Sequence, residues 1–138
     1  MSKLSDQLRI HEGVRSHVYL CTAGYETIGV GRNIAESGIG LSDDEIDYLL
    51  ENDIKRCKQE LISLSWFADL DSVRQDAIVN LCFNLGLTRL MGFQNAMGAM
   101  AIGDYEKAAD EFLDSRWAKQ VGQRSLDVAH MIRTGEYP

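Results

Sequence analysis

The chain has 138 residues, 45% hydrophobic and 25% charged, which predicts one globular domain with its own core and excludes a disordered or low-complexity chain. Acids outnumber bases 21 to 14, giving a net charge of -7. That balance excludes nonspecific nucleic-acid binding, which needs a basic footprint, and argues against stable association with an anionic membrane.

The segment Met1–Gln7 lacks the apolar stretch of a secretion signal, and no run reaches the roughly 18 apolar residues of a membrane span. The expectation is a chain that stays in the cytosol until something else releases it. Cys21, Cys57 and Cys82 are odd in number and widely spaced, so neither a C-x-x-C motif nor a disulfide scaffold is expected.

Residues 3–11 read as a short helix with Leu4, Leu8 and His11 on one face. Residues 17–34 change character: Val18, Tyr19, Tyr25, Thr27, Ile28 and Val30 are punctuated by Gly24, Gly29 and Gly31, which predicts a small hairpin or three-stranded sheet. From Ser42 onward the pattern is helical. Ser42 with Glu45 reads as a capping box, and Ile46, Leu49, Leu50, Ile54, Cys57 and Leu61 follow at helical spacing. Residues 63–70 read as a loop in which Trp66 and Phe67 plug the core. Asp71 or Ser72 caps the next helix, which carries Val73, Ala77, Ile78, Leu81, Cys82 and Leu85 and stops at Gly86. Cys57 and Cys82 fall on apolar faces, where cysteine acts as a small hydrophobe. Further helices are expected near 88–101, 104–114, 115–120 and 123–133. The fold class is α+β: a small sheet lobe and a larger helical lobe.

Metal and dinucleotide chemistry find no support. His11-Glu12 begins like H-E-x-x-H, but Arg15 stands where the second histidine belongs. Gly29-Val30-Gly31 lacks the third glycine of a dinucleotide loop. Glu12 is more suggestive. It falls where the first helix ends, at the negative end of the helix dipole, an environment that raises a carboxylate's pKa and suits a general acid.

Eight residues separate Glu12 from Cys21 and five separate Cys21 from Thr27, with Gly24-Tyr25-Glu26-Thr27-Ile28-Gly29-Val30-Gly31 around them. This resembles the phage-type lysozymes, the endolysin family that includes the lysozymes of the T-even phages, whose pattern is Glu, eight residues, Asp, five residues, Thr. Leu41-Ser42 and the acidic helix after it resemble the segment joining that family's two lobes. Phe83-Asn84-Leu85-Gly86, Gly92-Phe93-Gln94-Asn95, Ser115-Arg116-Trp117, Arg124 and Arg133-Thr134-Gly135 resemble its later motifs, so the likeness covers about residues 3–137.

The resemblance implies a lysozyme-like domain over residues 1–138, with a sheet lobe at about 13–40 and a helical lobe at about 60–138 joined by the N-terminal helix. It implies hydrolysis of the β-1,4 bond between N-acetylmuramic acid and N-acetylglucosamine in bacterial peptidoglycan, by a monomer needing neither metal nor cofactor. Glu12 would be the general acid, Thr27 would hold water or substrate, and Arg124 would pair with Glu12. Such pairing would lower the pKa of Glu12, against the dipole. Gly31 and Phe83 would line the substrate cleft. A holin-type membrane lesion would carry the enzyme to the wall and cause host lysis.

Cys21 departs from the pattern, because the family has Asp there and glycosidases use two carboxylates. Three readings stand open. The thiol or thiolate replaces the carboxylate, as in relatives that carry Cys here. Glu12 acts alone, making a lytic transglycosylase. Or the site is dead and only binds glycan. Arg32 is a second departure; it either contacts a substrate carboxylate or is a solvated arginine at a hairpin end. The short stretch from Asn33 to Leu41 is a third, and implies a reduced sheet lobe. Given the net charge, binding should rest on the cleft rather than on long-range attraction to an anionic wall, with modest salt inhibition.

Overall fold

Glycine-punctuated β-branched segments followed by apolar repeats at helical spacing produce, in the computed structural model, three strands and eight helices among the described residues, 2–138. The chain divides into two compact units, Met1–Leu49 and Leu50–Pro138.

The first unit begins with α1 (Lys3–Glu12), capped by the Ser2 hydroxyl, which accepts from the Ser5 N–H. It stops at Gly13, whose N–H donates to the Arg9 carbonyl. Leu4, Leu8 and His11 share a face as expected, but no residue of α1 is buried; α1 belongs to the first unit. Strands β1 (Arg15–Leu20), β2 (Glu26–Gly29) and β3 (Arg32–Asn33) form one antiparallel sheet in that order. Tyr19 faces Thr27 across the first pair and Thr27 faces Asn33 across the second, so Thr27 sits on the central strand with a partner on each side. The register of β1 on β2 slips between Arg15 and Tyr19.

Helix α2 (Asp43–Leu61) starts in the first unit. The capping box forms by half. Glu45 reaches back to accept from the Ser42 N–H at 2.9 Å, but the Ser42 hydroxyl donates to Asp44 and Glu45 instead of accepting from the helix backbone. The Arg32 guanidinium donates to the same Glu45 oxygen at 2.6 Å.

In the second unit α3 (Ser72–Leu85) is the central helix. Asp71 caps it, and Ala77, Ile78, Val79, Leu81, Cys82 and Leu85 are all buried, so apolar contact surrounds most of its circumference. It packs on α8 (Gln123–Thr134), which also packs on α6 (Tyr105–Leu113) and α7 (Arg116–Val121). The expected helix at 88–101 is two helices, α4 (Leu87–Met91) and α5 (Gln94–Ala101). The break falls at Phe93, which leaves helical geometry (φ -79, ψ 65) and sends its ring to 5.4 Å from that of Phe112. Phe112 is fully buried and also meets Trp117 edge-on, whose indole N–H donates to the Asn84 side chain at 2.7 Å. Phe67 plugs the core from the loop before α3, and Trp66 packs against it half-buried.

Candidate active site

Glu12 is the last residue of α1 and is exposed. Its side chain lies against the β2–β3 turn at Gly31. A Cβ built on Gly31 would stand 2.8 Å from Glu12 Oε2 and 3.0 Å from its Cδ, and Gly31 has φ +69. Only glycine meets both demands: it tolerates the left-handed backbone and leaves room for the carboxylate. Glu12 and Gly31 are thus one structural element.

Cys21 and Thr27 form a second. Cys21 follows β1 in a tight turn: its N–H donates to the Tyr25 carbonyl at 3.0 Å, and its carbonyl accepts from the Gly24 N–H at 2.8 Å. The thiol is held below its ordinary value, chiefly by the Tyr25 backbone N–H, then by that of Ala23, with the Thr27 hydroxyl and the Gly24 N–H adding to them; partial desolvation opposes. Those donors favour the thiolate. Thr27 is only 3% exposed, and its hydroxyl donates to the Tyr25 carbonyl at 2.8 Å.

Arg32 follows Gly31 but is engaged elsewhere. It donates to the Gly40 carbonyl at 3.0 Å and to Glu45 at 2.6 Å, which clamps the loop before α2 to β3. Its guanidinium, with the Ser42 N–H and hydroxyl, pulls Glu45 down to about 2. Neither a free arginine nor a fully solvated one describes this side chain.

Phe83, Arg124 and Asn80 belong to the second unit and line one cavity of about 510 Å³, together with Ile54, Lys58 and Tyr137. Phe83 is 44% exposed, although the helix that carries it also buries Val79, Leu81, Cys82 and Leu85. Arg124 donates from Nε to the Asn80 side-chain oxygen at 2.8 Å and from Nη2 to the Asn80 carbonyl at 3.3 Å. The Tyr137 hydroxyl donates to Asp76 at the same cavity.

The profile of the phage lysozyme family matches residues 9–132. The chain belongs to the phage lysozyme family. The lysozyme is 28% identical to "Probable T4-type lysozyme 1" of Dictyostelium discoideum over 98% of its own length and 96% of that protein's. It is 29% identical to the "Endolysin" of Acyrthosiphon pisum secondary endosymbiont phage 1, over 86% of this chain and 80% of that one. A third relative is the "Pre-baseplate central spike protein Gp5" of Enterobacteria phage T4, at 30% identity over 96% of this chain but only 28% of the spike protein. The lysozyme is accordingly a glycosidase, a muramidase-type hydrolase of peptidoglycan.

Asn80 was not singled out from sequence. The signal was present: a polar residue between Val79 and Leu81, three positions before Phe83 and therefore on the same face, needs a partner. Asp76 and Tyr137 carried no such signal, since 61 residues separate them.

Proposed function

We propose that this lysozyme cleaves the β-1,4 bond between N-acetylmuramic acid and N-acetylglucosamine, with Glu12 as general acid and the Cys21 thiolate in the role of the second carboxylate. One observation carries this reading: Cys21 lies in a tight turn whose backbone N–H groups, with the Thr27 hydroxyl, hold its thiol below the ordinary value. Glu12 protonates the leaving glycosidic oxygen, and charge developing on the sugar is met by the thiolate, which also orients the attacking water. Thr27 completes the water's site. Gly31 keeps Glu12 in place and Phe83 offers a flat apolar face to a sugar ring. The family resemblance gives Arg124 the part of cation partner to the catalytic glutamate. Arg32 supports the site by clamping the loop at Gly40.

The proposal extends to biology: a monomer released through a holin-type lesion, with host lysis as the outcome. Its support is the endolysin among the relatives. No helix among the described residues is long and apolar enough to cross a membrane.

A turbidity assay on permeabilised Gram-negative cells tests the chemistry. Glu12→Gln should lose activity by at least about 100-fold, Cys21→Ser should lose most of it, and Cys21→Asp should retain it. Full activity in Glu12→Gln would end the assignment of the acid. Full activity in Cys21→Ser, with anhydro-sugars among the products by mass, would instead identify a transglycosylase working through Glu12 alone. Glycan binding without turnover in both the unaltered chain and Cys21→Asp would leave a binding module.

A further inference from the structure

Helices α2 and α3 each carry a cysteine that the proposed reaction does not use. Cys82 is 2% exposed on α3, and Cys57 is half-buried on α2. Cys57 and Glu60 are three residues apart and share one face of α2. The Cys82 thiol donates to the Glu60 carboxylate at 4.0 Å, which sets that face of α2 against Cys82. Cys57 packs against the core cluster to which Cys82 belongs, and it helps to push the Cys82 thiol up. All three residues lie within the second unit.

We propose that Cys57 and Cys82 are a redox-responsive pair that a small-molecule disulfide closes into a bond joining α2 to α3. Closure proceeds by two exchanges. Cys57, the reachable thiol, loses its proton to solvent and attacks one sulfur of the oxidant, and one thiol of the oxidant departs. Cys82 then passes its proton to the Glu60 carboxylate and attacks the Cys57 sulfur. The second thiol of the oxidant departs and is protonated from Glu60 through solvent. Two protein thiols are oxidised and one external disulfide is reduced, so electrons balance.

Glu60 has a defined task in the second exchange. Burial, with Cys57 and Glu60 adding to it, pushes the Cys82 thiol up to about 12, so an unassisted thiolate is scarce at neutral pH. A carboxylate already hydrogen-bonded to that thiol removes the proton as the sulfur attacks. The consequence for the molecule is mechanical. Ile54 and Lys58 of α2 and Asn80 and Phe83 of α3 wall the same 510 Å³ cavity. A covalent tie one residue away from both Lys58 and Phe83 fixes the spacing of those walls.

The full chain is incubated with oxidised glutathione, remaining thiols are blocked, and peptides are mapped by mass spectrometry. The expected product is a Cys57–Cys82 cross-linked peptide lighter by two hydrogens, with the thermal midpoint of the chain raised by about 10 °C over the reduced form. Cys57→Ser should show neither change, and Glu60→Gln should still form the mixed disulfide on Cys57 but close about 100-fold more slowly. The proposal is overturned if Cys57 stops at the glutathione adduct in the unaltered chain, if the Cys57–Cys82 bond forms only in denaturant, or if the disulfides formed all involve Cys21. The outcome is independent of whether Glu12 and Cys21 catalyse glycoside cleavage.

Discussion

In Met1–Leu49 the one buried side chain among the described residues is the polar Thr27, whereas every buried apolar side chain lies between Leu61 and Ile132 in the second unit. The second unit is held by area removed from water, which is non-directional and shared among many contacts. The first is held by directional devices: a short antiparallel ladder, glycine turns, and the Arg32–Glu45–Ser42 clamp. The groups proposed for the chemical step, Glu12, Cys21 and Thr27, are all in this thinly packed unit. The contrast teaches where each kind of substitution should register. Loss of volume in the second unit should appear as stability, and loss of one bond or one glycine in the first should appear as activity.

The strongest test of that division is Phe112→Ala. Phe112 is fully buried and contacts two other aromatic rings, so its truncation should cost about 3–5 kcal/mol in chemical denaturation. Activity per folded molecule should stay near that of the unaltered chain. A large fall in activity with little loss of stability would break the comparison. Gly31→Ala should behave oppositely. The added methyl meets the Glu12 carboxylate at 2.8 Å from a backbone at φ +69. The backbone strain costs about 1–2 kcal/mol, but a displaced acid should lower turnover about 100-fold. Equal effects of Gly31→Ala on activity and on stability would show that the turn, not the position of Glu12, is what the glycine serves.

A smaller effect is expected where the second unit itself uses directional bonds. Asn80→Ala removes the acceptor that Arg124 Nε reaches at 2.8 Å. Stability should fall by about 1–2 kcal/mol, with part of the loss recovered in Asn80→Asp, which restores an acceptor for the guanidinium. Denaturant curves for the two variants decide it.

The difference between the units also explains what could be read without coordinates. Apolar spacing is a property of neighbours in the chain, so α3 and its core face were legible from the periodicity of residues such as Ile78, Leu81 and Leu85, and the approximate places of α6 and α8 were legible too. Caps were legible for the same reason: Asp71 and Gly86 bound α3 as their chemistry dictates. The split at Phe93 was not, because it depends on a ring finding Phe112 nineteen positions away. In the first unit the Glu12, Cys21 and Thr27 positions came from a family spacing, and the Gly31 turn from composition. The closeness of Gly31 to Glu12, the engagement of Arg32 by Glu45 and the donors around Cys21 arise from how the turns fold back, which no local pattern encodes.

The Arg32–Glu45 clamp gives a pH test confined to the first unit. Glu45 falls from 4.5 to about 2 in the folded chain, with the Arg32 bond as the main cause. A carboxylate lowered on folding contributes stability above its unfolded value and loses that contribution as pH falls through the folded one. Amide exchange near Ser42 and Gly40 should therefore quicken between about pH 4.5 and 2, while amides of α3 stay protected. Glu45→Gln should remove the step. Simultaneous loss of protection in α3 would show that the two units open together.

The smallest and most specific test compares two copies of one functional group. Backbone donors lower the Cys21 thiol from 9.0, whereas burial pushes the Cys82 thiol up to about 12. Alkylation by iodoacetamide followed peptide by peptide against pH should show Cys21 reacting with a midpoint below 9.0, and Cys82 silent until the chain unfolds. Thr27→Val keeps the shape of the buried side chain but removes the hydroxyl, so the Cys21 midpoint should move part of the way back up. The sign matters for catalysis. A thiol that ionises below its ordinary range can stand in for a carboxylate, whereas one that titrates at or above that range is neutral at working pH. An unshifted or raised midpoint would therefore remove the second anion from the proposed mechanism and leave Glu12 to act without it.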